Sequence, residues 1–263
     1  MRITSNNLDD TIQLNQQIHH ETQNHLKYMH RFLAKYEIHS PEKLGLQILK
    51  DNYLIQIPIP NLDWGGAIRE LPNGRKVPVI NTAQPRLYQY FIYWHEIYHL
   101  TEDFSNSHDI SAEFDLIERK ADYFASQMLI SKDLYKYFLD IKHPDFVCRV
   151  AICMDTFKVP YKAILIQLYE SAIEYENKKL QEQIKLNFDT PFDVQSWIDI
   201  FRKLSLDENL VKPSYIVDFG LLKYEVVSIE TSDDRVFIET KEFIDALEKK
   251  YLLVKGKLES GEL

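Results

Sequence analysis

Trp94-His95-Glu96-Ile97-Tyr98-His99-Leu100 is the stretch on which the reading of this chain turns. From Pro85 into this stretch, Leu87, Tyr90, Phe91, Trp94 and Tyr98 recur at spacings of three and four, the period of one helix face. On a helix, residues four apart stand one above the other, so His95 and His99 can turn both imidazoles to one metal ion. Imidazole nitrogen is a good zinc ligand. A glutamate beside the first histidine, here Glu96, reaches a metal-bound water rather than the metal. The blander alternative is a pair of partly buried polar residues on an amphipathic helix.

A third ligand separates these readings, because catalytic zinc takes three protein ligands and keeps one position open. Phe114, Ile117, Ala121, Phe124, Ala125 and Met128 predict a second helix from Ser111 to about Met128. It carries Glu118, nineteen residues after His99, and Asp122 four residues further on the same face. Glu118 is the expected ligand. Asp122 can accept a hydrogen bond from the free ring nitrogen of a ligand histidine, which orients the ring and raises its basicity. Otherwise Asp122 is a helix-surface charge paired with a lysine. Asp103, His108 and Asp109, in an expected loop, compete for the third position.

Such a site implies a definite chemistry. Zinc brings the pKa of its bound water towards neutrality, and Glu96 would take the proton as general base. A further donor should stabilise the oxyanion. Tyr98, Tyr123, His108 and His143 stand open for that role, each readable also as a core aromatic or a surface histidine.

At INT-(11)-WHEIYHL, ERKADYFASQMLI and FKVPYKAILIQLYE the chain resembles the ImmA/IrrE family of metallopeptidase-like proteins. That family shows a strand ending near Asn, a helix with H-E-x-x-H, and an E-x-x-A-[ND]-x-F-A segment, here Glu118, Ala121, Asp122, Phe124 and Ala125. The resemblance covers roughly residues 45 to 170. It implies a gluzincin-like α+β fold with zinc on His95, His99 and Glu118, and a regulatory protein target such as a helix-turn-helix repressor of bacteria, phages or mobile elements. Two positions depart from the pattern: Tyr98 stands where Gly is usual, and Leu129-Ile130-Ser131 where L-M-P is usual. The bulk of Tyr98 would narrow the cleft.

Composition bounds the alternatives. Only 7 glycines occur, and no G-x-G-x-x-G or Walker-type loop is present. The net charge of −9 disfavours a phosphate backbone as partner, and no run has the apolar length of a membrane span. Cys148 and Cys153 lie in the apolar run FVCRVAICM and read as buried core thiols. The first residues lack the apolar region of a secretory signal, so a cytoplasmic protein is expected.

Outward from the motif, residues 8–37 read as one or two surface helices carrying solvated His19, His20 and His25, and 42–50 as a short helix. YLIQIPIP, GGAIREL and KVPVINT read as a small, mainly antiparallel sheet, the last two joined by the turn LPNGRK. Helices are expected near 131–141, 144–157 and 160–176, the last running into the charged EYENKKLQEQIKLN as a solvated helix or linker. Residues 1–184 form the expected metallopeptidase-like domain. Residues 185–263 form a small C-terminal α/β appendage: an amphipathic helix PFDVQSWIDIFRKL, a hairpin of LLKYEVVSIE and RVFIET around TSDD, and a terminal helix.

The expectation is therefore a zinc endopeptidase of narrow specificity that cleaves a transcriptional regulator. Its alternative is a non-catalytic binding protein that sequesters such a regulator, with a structural or vestigial zinc site. Glu96 favours catalysis, since a binder needs the ligands but not the base.

Overall fold

The computed structural model describes residues 3–34, 36–71, 74–101, 112–130, 132–223 and 234–263. It is mostly helical with one small sheet, an α+β architecture. Helix α1 (Leu8–Leu33) is followed by α2 (Pro41–Asp51), where Pro41 takes the first helical position. Proline suits that place because its missing N–H would have no partner there. Strands β1 (Ile55–Ile57), β2 (Gly66–Glu70) and β3 (Lys76–Asn81) come next. Helices α3 (Arg86–Thr101), α4 (Ala112–Leu129), α5 (Leu134–Asp140), α6 (Phe146–Phe157), α7 (Tyr161–Glu174), α8 (Lys178–Phe188), α9 (Val194–Lys203) and α10 (Asp234–Ser260) complete the order.

The sheet is mixed rather than mainly antiparallel. Its order is β1-β3-β2, with β3 in the middle. β2 and β3 form the expected hairpin, from Gly66 opposite Ile80 to Glu70 opposite Lys76. β1 runs parallel to β3, with Ile55 opposite Val79 and Ile57 opposite Asn81. A three-residue strand carries no directional signal in its alternation, so its sense could not be read from the sequence. Asn81 is fully buried at the end of β3. Its carboxamide accepts from Ile59 N and Ala83 N and donates to the carbonyls of Ile59, Asn61 and Trp64. It thereby satisfies a loop that would otherwise leave backbone groups orphaned.

Helix α3 is the centre of the molecule. Trp94, Ile97 and Leu87 are essentially buried, and Trp94 Nε1 donates to Pro41 O at 3.1 Å. Packing of α2, α4 and the sheet around α3 explains its aromatic richness, since tertiary burial overrides the weak helix preference of Tyr and Trp. Both cysteines are free and buried in α6.

Two expectations for the C-terminal half are corrected. EYENKKLQEQIKLN is not a solvated extension of α7. The chain turns at Glu176, whose φ is 52°, and α8 packs back on α7 with Leu180, Ile184 and Phe188 buried. That apolar 4-4 spacing lies among so many charges that the buried stripe is easily missed. RVFIET is not a strand but the start of α10, continuous with the helix formers of KEFIDALEKK. Helix propagation along one uninterrupted segment costs little once begun, and it overrode the local β preference of Val236, Phe237 and Ile238. Residues 221–223 are helical as well, and the rest of the expected hairpin, 224–233, lies outside the described residues.

Residue 185, where a boundary is expected, falls inside α8. Beyond it the chain returns to the sheet. Gln56 and Asp218 exchange two backbone hydrogen bonds of 2.8 Å, and Thr82 O accepts from Ser214 N and Tyr215 N. Phe201 of α9 is fully buried in the common core. No helix among the described residues is long and apolar enough to cross a membrane.

Candidate metal centre

The site is built where α3 and α4 pack. Ala121, Phe124 and Ala125, at the first, fourth and fifth places of a helical repeat, are all 0% exposed. The Phe124 ring lies 6.3 Å from Trp94 and 5.5 Å from Tyr98 of α3. Two alanines permit close approach of the helices, and the aromatic contacts fix their register. Glu118, one turn before Ala121 and Asp122, is thereby set opposite His95 and His99.

Three ligand-type residues converge there. His95 Nε2 and His99 Nε2 are 3.1 Å apart. Glu118 Oε2 is 3.2 Å from His95 Nε2, and its Oε1 is 3.3 Å from His99 Nε2. The donor set fits a metal. Zinc–ligand bonds of about 2.0–2.1 Å in tetrahedral array set neighbouring ligand atoms about 3.3–3.4 Å apart, close to these separations. Among the described residues, His95, His99 and Glu118 form the one group with such donors within 4.8 Å of one another.

Asp122 completes the arrangement behind His95. Its Oδ1 lies 2.9 Å from His95 Nδ1. With the ring neutral and Nδ1–H donating, the lone pair is left on Nε2, facing His99 and Glu118. Burial disfavours the charged ring of His95, but the hydrogen bonds to Asp122 and Glu118 outweigh it and raise its pKa to about 10. Burial would raise Glu118 in turn, yet the contacts with both histidines hold it well below the ordinary carboxylate range. Both shifts favour a protonated His95 beside an ionised Glu118 when no metal is bound.

Glu96 is 3% exposed, and burial raises its pKa, opposed by the two histidines beside it. Its neighbour across the interface is Gly66 at the start of β2. A Cβ on Gly66 would stand 3.0 Å from Glu96 Oε1 and 2.9 Å from both Ile92 Cγ2 and Val79 O. Only a glycine lets the strand approach the carboxylate this closely. Lys76 of β3 reaches the same helix, donating from Nζ to His99 O at 3.4 Å.

Of the residues open for an oxyanion role, three make the contacts below and one lies outside the described residues. Tyr98 is 4% exposed, its ring against Phe124 and His25, so its bulk goes into packing of α3 on α1 and α4. Tyr123 is 2% exposed and its hydroxyl meets His19 Nδ1 of α1 at 2.9 Å. His143 lies in the loop before α6, where its Nδ1 accepts from Asp145 N at 3.2 Å. His108 is outside the described residues, as are Asp103 and Asp109. His19 and His20 are exposed, as expected, and half-buried His25 pairs through Nε2 with Thr101 Oγ1 at 2.9 Å.

Sequence reasoning did not single out Gly66, or Arg119 with its partner Asn15. Arg119 is 9% exposed, and its Nε donates to the fully buried Asn15 Oδ1 of α1 at 2.9 Å. In E-R-K-A-D it reads as one more helix-surface charge. The one available signal was its phase, two residues before buried Ala121 and three before Asp122. No protein-family model matches the chain, and no curated protein or solved structure was found to match it.

Proposed function

We propose that this chain is a zinc-dependent metallopeptidase of the ImmA/IrrE kind, of narrow specificity, acting in the cytoplasm on a regulatory protein such as a helix-turn-helix repressor. The observation that carries the reading is the convergence of His95, His99 and Glu118 at 3.1–3.3 Å, with Glu96 buried beside them and Asp122 behind His95. The two imidazoles and Glu118 would hold the ion. Zinc, when bound, supplies a polarised water and a Lewis acid for the scissile carbonyl. Glu96 takes the proton onto its carboxylate. Its raised pKa makes it a stronger base than an exposed glutamate and lets it return the proton to the leaving amine. The Asp122 contact holds His95 in the tautomer that ligation requires.

A peptide substrate agrees with the neighbouring strand. Among the described residues β2 pairs with β3 alone, and its first residue leaves no room for a side chain beside Glu96. An extended peptide added to the other edge of β2 would run past the base. The test is a proteome-derived peptide library incubated with zinc-loaded protein and read by mass spectrometry, wild type beside Glu96→Gln. Cleavage at a small set of sequences is expected, falling by about 10²–10⁴ in the variant while zinc is retained. Equal patterns from the two proteins would overturn the peptidase reading.

A further inference from the structure

Asp122 uses its two oxygens differently. Oδ1 takes His95 Nδ1 at 2.9 Å, and Oδ2 faces Arg119 Nη1 at 3.7 Å. The Asp122 side chain is 38% exposed, so solvent alone would leave it free to rotate. Arg119 is not free to follow it. The guanidinium is buried, tied through Nε to Asn15 of α1, with Glu170 of α7 a further nearby negative charge. A planar guanidinium anchored at one edge presents its remaining N–H groups in a fixed direction. Helix α1 thus reaches the metal centre through three residues in series: Asn15, Arg119 and Asp122.

We propose that Arg119, held by Asn15, is a positioning residue that fixes Asp122 against His95 and thereby sets the affinity of the His95–His99–Glu118 site for its metal. The proposal rests on the metal reading of that site. The competing role is simpler: Arg119 ties α1 to α4, and Asp122 acts without it. The two differ in coupling. A residue that acts through Asp122 loses its influence on the metal once the carboxylate that faces both His95 and Arg119 has lost its charge, whereas a mere tie between helices does not.

The experiment measures zinc affinity of the full chain by competition with a chromogenic chelator, for wild type, Arg119→Met, Asp122→Asn and the double variant. Removal of an outer partner of a ligand histidine typically weakens metal binding about 10–100-fold. Arg119→Met should fall about tenfold, at the low end because it acts at one remove. Asp122→Asn should fall at least as far, and the double variant no further than Asp122→Asn alone. Arg119→Lys should recover part of the loss, and Asn15→Ala should shift affinity in the same direction as Arg119→Met. If Arg119→Met fails to fold by circular dichroism, Arg119→Lys and Asn15→Ala, each alone and with Asp122→Asn, decide the question. Wild-type affinity in the Arg119 and Asn15 variants, or losses that add to that of Asp122→Asn, would overturn the proposal and leave the metal site standing. No zinc on the wild type would overturn the metal reading itself, and this proposal with it.

Discussion

Replacing Gly66 by alanine adds one methyl group at the point where β2 meets the base. That methyl would lie 2.9 Å from Val79 O, a backbone atom of the central strand, and 2.9 Å from Ile92 Cγ2. The carbonyl cannot move without disturbing the β2–β3 ladder, so Ile92, Glu96 or the strand must shift. Overpacking of this kind costs about 1–3 kcal/mol, offset by about 0.4–1 kcal/mol from the smaller entropy of the unfolded chain. A net loss of about 1–2 kcal/mol corresponds to a Tm drop of about 2–8 °C at this chain size. The third contact, 3.0 Å to Glu96 Oε1, adds a functional consequence: peptide cleavage should fall more than stability accounts for, while zinc content stays near the wild-type value. Gly256→Ala in α10 is the control, because a Cβ there meets nothing within 4 Å and the helix should gain slightly. Thermal unfolding by circular dichroism, zinc analysis and the library assay on both variants measure this. A Gly66→Ala protein with wild-type Tm and cleavage would refute the close packing of β2 on Glu96.

The remaining predictions concern one cap and one proton. Asp145 accepts from Cys148 N at 2.8 Å at the start of α6, and this bond holds its carboxyl below the usual range. Asp145→Ala should cost about 1 kcal/mol at neutral pH, and wild type should lose that advantage only as acid protonates the cap below about pH 4; urea unfolding at pH 7 and pH 3 checks both. His95 of the metal-free protein keeps its proton up to about pH 10. Its folded-state pKa is raised, so its contribution to metal-free stability is complete below about pH 6.5 and fades as pH rises towards 10. Zinc must displace that proton, so calorimetry at pH 8 in buffers of different ionisation enthalpy should report about one proton released per zinc bound. A binding heat independent of the buffer would contradict this.

The ligand helices were legible because their signals are local and periodic. H-E-x-x-H and E-x-x-x-D each place two side chains on one face, and the Ala121–Phe124–Ala125 stripe reports which face packs inward. The strands β2 and β3 were legible from Gly, Pro and Asn at their ends. The direction of β1 was not, since it depends on which edge of β3 is left open once the hairpin has formed. The helical start of α10 was hidden by β-branched and aromatic residues, and the burial of α8 by surrounding charge. The support behind Asp122 was illegible for another reason. Asn15 and Arg119 are 104 residues apart, and each alone looks like a solvated polar residue of an amphipathic helix. The same holds for Gly66, whose role appears only when α3 is laid against the strand.

The most direct test is metal content of the purified chain by elemental analysis, wild type beside His95→Ala and Glu118→Ala. About one zinc per wild-type chain, lost in both variants while circular dichroism shows the helices intact, is the expected result. A wild-type protein that holds no zinc after reconstitution, or variants that keep it, would contradict the ligand set on which the proposed function stands.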